Sequence, residues 1–151
     1  MHARTHLLIA MFFGYWYFQL VPSFETWEKY VFSAFLIGAS LLPDIDLPTS
    51  SLGRKHHFIS YFATHRGAFH SVWIPLFALA FSKVSPVLRA PLMAIFVGYG
   101  AHLLADSITK MGIKPFAPLS KWTIKGPFKV GSLLETAISA AVVMFFLVQP
   151  F

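Results

Sequence analysis

Five apolar runs limit what this chain can fold into. They occupy residues 5–21, 30–42, 71–81, 91–107 and 132–148. Nothing between them resembles a strand pair, a domain linker, an internal repeat or a low-complexity tract, so residues 1–151 read as a single all-α domain. Hydrophobic residues make up 56% of the chain and charged residues only 12%. A soluble domain averages about 25% charged. So few charges cannot cover a water-facing surface, and the expected architecture is an integral membrane bundle of about five short transmembrane helices. A soluble all-helical bundle is the alternative. The runs are short. The apolar stretch 7–21 spans only about 22 Å as a helix, against a bilayer core of about 30 Å. The helices must therefore extend into polar flanks, or the membrane must thin around them.

Proline and glycine set the expected boundaries. Pro22 ends the first helix and Pro43 the second, because the residue before a proline disfavours helix. Ser85-Pro86 and Pro91 bracket a connection between helices three and four, and the fourth fades near Met111-Gly112. Residues 113–130 interleave Lys114, Lys121, Lys125 and Lys129 with Phe116, Trp122 and Phe128. Pro115, Pro118 and Pro127 prevent one continuous helix there. This stretch reads as an interfacial loop lying on lipid headgroups. The first run follows Arg4 but lacks a small-residue cleavage signal after it, so it is expected to be a retained helix.

The net charge is +6, from twelve basic against six acidic residues. With no aromatic-and-basic RNA-binding motif, the excess points to anionic lipid rather than nucleic acid. With five spans, one side carries Arg4, Arg54, Lys55, Arg66, Lys110, Lys114, Lys121, Lys125 and Lys129; the other carries Lys29, Lys83 and Arg89. The richer side is expected to be cytoplasmic, with the N-terminus inside and the C-terminus outside.

That topology gathers the titratable groups. His6 opens helix one, Asp44 and Asp46 follow helix two, and His65 and His70 precede helix three. His102 and Asp106 fall in the last turns of helix four, and Glu135 near the start of helix five. All eight lie at the cytoplasmic ends. His102 and Asp106 are four apart and share a helix face. The chain has no cysteine, so a metal here takes N and O ligands. Imidazole with carboxylate suits Zn, Mn or Fe more than Ca. Eight candidates exceed the three or four protein ligands of one catalytic zinc, so two divalent ions are expected. Simpler roles stay open: turn or cap residues for Asp44 and Asp46, a helix N-terminal acid for Glu135, an interfacial histidine for His6.

Four blocks recur in order: Leu41-Leu42-Pro43-Asp44-Ile45-Asp46; Ser51-Leu52-Gly53-Arg54; His65-Arg66-Gly67 with His70-Ser71; and Gly98-Tyr99 with His102-Leu103, Asp106, Thr109 and Gly112. Together they resemble the YdjM-like family of inner-membrane-bound, metal-dependent hydrolases. The resemblance covers most of the chain and implies a bacterial or archaeal inner-membrane location and metal-dependent hydrolysis. It carries over to Asp44, Asp46, His65, His70, His102 and Asp106, and more loosely to His6 and Glu135. Phe69 and Ala101 stand where the family tends to have Thr and Ser, and both changes would remove hydrogen bonds around the ligands.

The expected function is two-metal hydrolysis of a phosphoester in a phospholipid or lipid-linked phosphate. Arg66 would clamp a phosphoryl oxygen, Glu135 or Asp46 would act as general base, and Ser71, Lys114 and Trp122 would hold the headgroup end. Metal-ion transport and a non-catalytic module stapled by a structural metal are the rival readings.

Overall fold

The computed structural model describes residues 1–46 and 68–149. Among them are five α-helices: α1 (Ala3–Leu20), α2 (Thr26–Leu41), α3 (Trp73–Phe81), α4 (Pro86–Ser107) and α5 (Leu133–Val148). A 3-10 turn, Leu42–Asp46, continues α2, and another, Ala68–His70, leads toward α3. α4 is central and packs against α1, α2 and α3, while α5 packs on α1.

One spacing rule builds the core. The buried residues of α4 include Ala90, Ala94, Gly98, His102 and Asp106, an unbroken i, i+4 row. α2 buries Glu28, Phe32, Leu36 and Ser40 at the same spacing, and α1 buries His6, Ala10 and Gly14. Rows four apart are those that interlock in the commonest helix packing. In α4 and α1 the small residues occupy the row away from the ligand end and allow close approach. A Cβ on Gly98 would come within 2.8 Å of the Leu36 carbonyl oxygen, and one on Gly14 within 2.6 Å of a Leu36 methyl. Phe32 fills the space below, stacked on Tyr17 with ring centroids 5.0 Å apart. Each row then ends in polar side chains at one end of the bundle.

The proline punctuation holds in part. α1 stops at Leu20, before Pro22. α2 gives way at Leu42 to the 3-10 turn that contains Pro43. Pro91 was expected to mark a connection, but α4 already starts at Pro86 and runs through Pro91. Pro86, at the helix start, gives up an N–H that has no partner there. Pro91 lies only five residues further in. The turn before it is anchored by Arg89, which donates to Ser23 Oγ at 2.7 Å and lies over the Phe24 ring, and by the fully buried Ala90. At the other end α4 stops at Ser107, earlier than Met111-Gly112, where Thr109 Oγ1 donates to the Asp106 carbonyl at 2.8 Å.

Residues 108–132 are more ordered than a surface loop. Isolated bridges join Thr109 to Phe128 and Ile113 to Ile124, with Ile113 and Ile124 exchanging backbone hydrogen bonds of 2.9 Å. Glycine permits this arm. A Cβ on Gly126 would strike the Ile108 carbonyl oxygen at 2.0 Å, and Gly112 sits at φ 68°, a region that favours glycine. The sequence lacks the period-2 alternation that advertises paired strands, which is why the arm reads as a plain loop.

The outer surface is apolar. Phe13, Trp16, Phe35, Phe77, Leu104 and Leu147 are all exposed. Exposed hydrocarbon on this scale belongs against lipid or a partner. Among the described residues α4 alone is both long and apolar enough to cross a membrane; α5 is apolar but has 16 residues. The nine residues of α3 reach only about 14 Å. The five described helices thus match the five runs in number, and length together with apolarity separates one span candidate from the rest.

Gly98→Val should force α2 and α4 apart and lower stability by about 1–3 kcal/mol, measured by denaturation in detergent. Gly100→Ala, where a Cβ meets open space, should change it little.

Candidate metal centre

Five polar side chains converge where the rows end. His6, His70, His102 and Asp106 are fully buried, and the Asp44 side chain is 16% exposed. His6 Nε2 lies 3.4 Å from Asp106 Oδ1; His70 Nε2 and His102 Nε2 lie 3.7 and 3.8 Å from Asp106 Oδ2. His102 Nε2 is also 3.7 Å from Asp44 Oδ1. The His6 and His102 rings stack, with centroids 3.8 Å apart. The Met1 ammonium meets Asp106 Oδ1 at 2.7 Å, so this carboxylate draws positive charge into the cluster.

The protonation of His102 follows from its partner. Its Nδ1 lies 2.7 Å from the Ser40 carbonyl oxygen. A carbonyl only accepts, so Nδ1 carries the hydrogen and the neutral ring keeps its lone pair on Nε2. That atom is buried and has no hydrogen-bond partner among the described residues, and neither ring nitrogen of His6 has one. Buried polar atoms without partners are rare. An acceptor lone pair fixed in this way, beside two carboxylates, is the arrangement of a metal-binding histidine with its supporting hydrogen bond. Pro43 helps, since it has no N–H with which to close a 3-10 bond onto the Ser40 carbonyl.

The ligand atoms form two groups, His6–Asp44–His102 and His70–His102–Asp106, each within 4.8 Å. Both need His102. Its Nδ1 is committed to Ser40, so its Nε2 serves one ion. The two groups therefore cannot each hold an ion through His102, and the described residues offer five candidate donors around it. The residues fit a metal ion, and three imidazoles with two carboxylates suit a first-row transition ion. Burial pushes the Asp44 carboxyl above the ordinary carboxylate range; the charge of His6 opposes this and that of Asp106 reinforces it. A cation nearby would relieve that cost.

Other expected site residues lie elsewhere. Glu135 stands apart from both groups. Its carboxylate accepts from the His2 and Gly131 backbone N–H groups at 2.6 and 2.7 Å and from Thr5 Oγ1 at 2.9 Å, tying α1 to the start of α5. Only the Gly131 bond is local to the start of α5; the others reach across to α1. Ser71 is buried beside His70, Lys114 is half-buried on the arm, and Trp122 is exposed and stacked on Phe116. His65, Arg66 and the side chain of Asp46 lie outside the described residues. Glu25 and Glu28, at the far end of the bundle, form a capping box on α2.

Three positioning residues were not assigned from sequence: Ser40 through its carbonyl, Thr109 through its bond to Asp106, and Tyr99. The Tyr99 hydroxyl donates to the Phe69 carbonyl and so holds the turn that presents His70. Tyr99 and Thr109 stand in the same sequence block as His102 and Asp106, the one signal that pointed to them.

The profile of the family described as YdjM inner membrane protein matches residues 1–150. The chain belongs to that family. Inner membrane protein YdjM of Escherichia coli (strain K12) is 34% identical over 137 residues, covering 82% of this chain and 68% of that protein. The Shigella flexneri protein of the same name aligns with the same identity and coverage. No solved structure matches. Family and apolar exterior agree that this YdjM-family chain is a membrane protein.

Two outcomes test the centre. Tyr99→Phe should weaken metal affinity by roughly 10-fold or more, as loss of a supporting hydrogen bond does elsewhere, measured by competition with a chelating dye. Asp44→Asn should abolish the rise in melting temperature on adding metal. In metal-free protein the sign reverses: a carboxyl whose pKa is raised by folding costs stability as pH rises, so the variant should be at least as stable as wild type at pH 7.

Proposed function

We propose that the chain is a metal-dependent hydrolase of the bacterial inner membrane, acting on the phosphoester of a phospholipid or lipid-linked phosphate. The observation that carries this is His102, its Nδ1 held by Ser40 and its buried Nε2 facing two carboxylates. A five-span bundle with the N-terminus in the cytoplasm would put this centre at the cytoplasmic headgroup level, next to the lysines of the arm.

His6, Asp44, His70, His102 and Asp106 would hold the ion. Zinc, manganese and iron fit the donors; a second ion would need His65 or Asp46. A bound divalent ion supplies Lewis acidity toward water and a phosphoryl oxygen. The chain's own residues do the rest. Ser40 holds His102 in one tautomer, and Thr109 fixes the backbone at Asp106. Asp44 alone among the five donors keeps some exposure, which supports arrival of substrate and water from its side, where it would accept a proton. Arg66 has the donor fork to bind a second phosphoryl oxygen.

One observation favours the rival reading of a metal that staples the helices: four of the five donors are fully buried. Turnover separates the two. Purified wild-type protein loaded with zinc or manganese should release phosphate or a phosphorylated headgroup from phospholipid or lipid phosphate. Asp106→Asn should lose both the metal and the release. Chelation that melts wild type, with no turnover on any such substrate, establishes the staple instead.

A further inference from the structure

Beside the centre lies an apolar hollow of about 540 Å³. Phe69 and Ser71 close one end, Ile74 and Phe77 of α3 form one side, and Pro118 and Leu119 of the arm form the other. Apart from Ser71 and the indole N–H of Trp73, the lining side chains are hydrocarbon, so a water-soluble ligand would find few polar partners. Phe77 and Leu119 are exposed on its outer side, toward the surroundings that the apolar exterior implies are lipid. The lining residues 117–119 lie between Lys114 and Lys121 in the sequence, and Trp122 stacks on Phe116 with centroids 5.9 Å apart, Phe116 in turn meeting the lining Trp73. Lysine and tryptophan together are the chemistry of the phosphate-bearing headgroup layer. At the other end Phe69 and Ser71 flank His70, one of the five donors.

We propose that this hollow holds one hydrocarbon tail of an anionic, phosphate-bearing membrane lipid, whose headgroup lies between the Lys114/Lys121 rim and the His70 side of the metal centre. The inference rests on the hydrolase reading and deepens it by giving the substrate's tail a place. It also gives Phe69 a use: its ring lines the hollow while its carbonyl takes the Tyr99 hydrogen bond. The positive rim selects the occupant by charge. A zwitterionic lipid or a second copy of this chain gains little from it.

The test is photolabelling of the full chain in phosphatidylcholine vesicles doped with a phosphatidic acid whose tail carries a diazirine. Label should concentrate on peptides covering Phe69–Phe77 and residues 117–119, and unlabelled phosphatidic acid should compete while phosphatidylcholine does not. Ile74→Trp, which fills the hollow, and Lys121→Glu, which reverses its rim, should each cut this labelling about tenfold, the effect of losing a couple of buried methylenes or one favourable charge. Gly100→Leu, lining a separate apolar cleft of about 450 Å³, should leave it unchanged. Label spread evenly onto Leu147 and Val148 of α5, equal competition by phosphatidylcholine, or a cross-linked dimer would overturn the proposal. The wild-type competition decides the matter even if Ile74→Trp does not fold. The label map needs no turnover, so it stands or falls separately from the hydrolase reading.

Discussion

The contact between α2 and α4 sets the rest of this molecule. Gly98 brings α4 against the Leu36 backbone, and one turn further along both helices the same register puts His102 against the Ser40 carbonyl. A bulkier residue at position 98 would lift α4 away and break the hydrogen bond that orients the histidine. Packing and ligand chemistry are thus one constraint. The small residues of the α4 row let the helices close, and the polar residues that end it become the centre.

Burial makes the cluster a place that could hold a cation. Two carboxylates and three imidazoles meet in a space where water is nearly excluded, and unpaired charge there is costly. Partial satisfaction comes from local partners: Ser40 for His102, the Met1 ammonium for Asp106, Thr109 for the helix end. What remains includes the His102 Nε2 lone pair, aimed inward. On the outside the logic is reversed. With few charges to spend, the chain leaves aromatic and aliphatic side chains exposed and concentrates lysine on the arm.

Much of this was legible in the sequence, for identifiable reasons. The scarcity of charge announced the apolar exterior, and the five runs announced the five described helices. Proline before a helix end was readable at Pro22, whereas Pro91 misled because a buried Ala90 and an anchored Arg89 carry α4 through it. His102 and Asp106, four apart, were visible as one face, and charge asymmetry brought His6, Asp44 and His70 to the same end. The arm was not legible, since its pairing depends on what Gly112 and Gly126 lack rather than on any alternation. Glu135 shared the right end of the bundle but not the cluster, because nearby backbone N–H groups take up its oxygens. The Ser40 carbonyl is invisible to side-chain reasoning, though Pro43 three residues later hints that this carbonyl is available.

The central claim is that histidine nitrogens and carboxylates of this buried cluster bind one transition ion. X-ray absorption at the metal edge of the zinc- or manganese-loaded protein tests it most directly. The account predicts a mixed N/O shell with the multiple scattering of two or more imidazole rings, at one ion per chain. A shell of oxygen alone, with no imidazole signature, would contradict it.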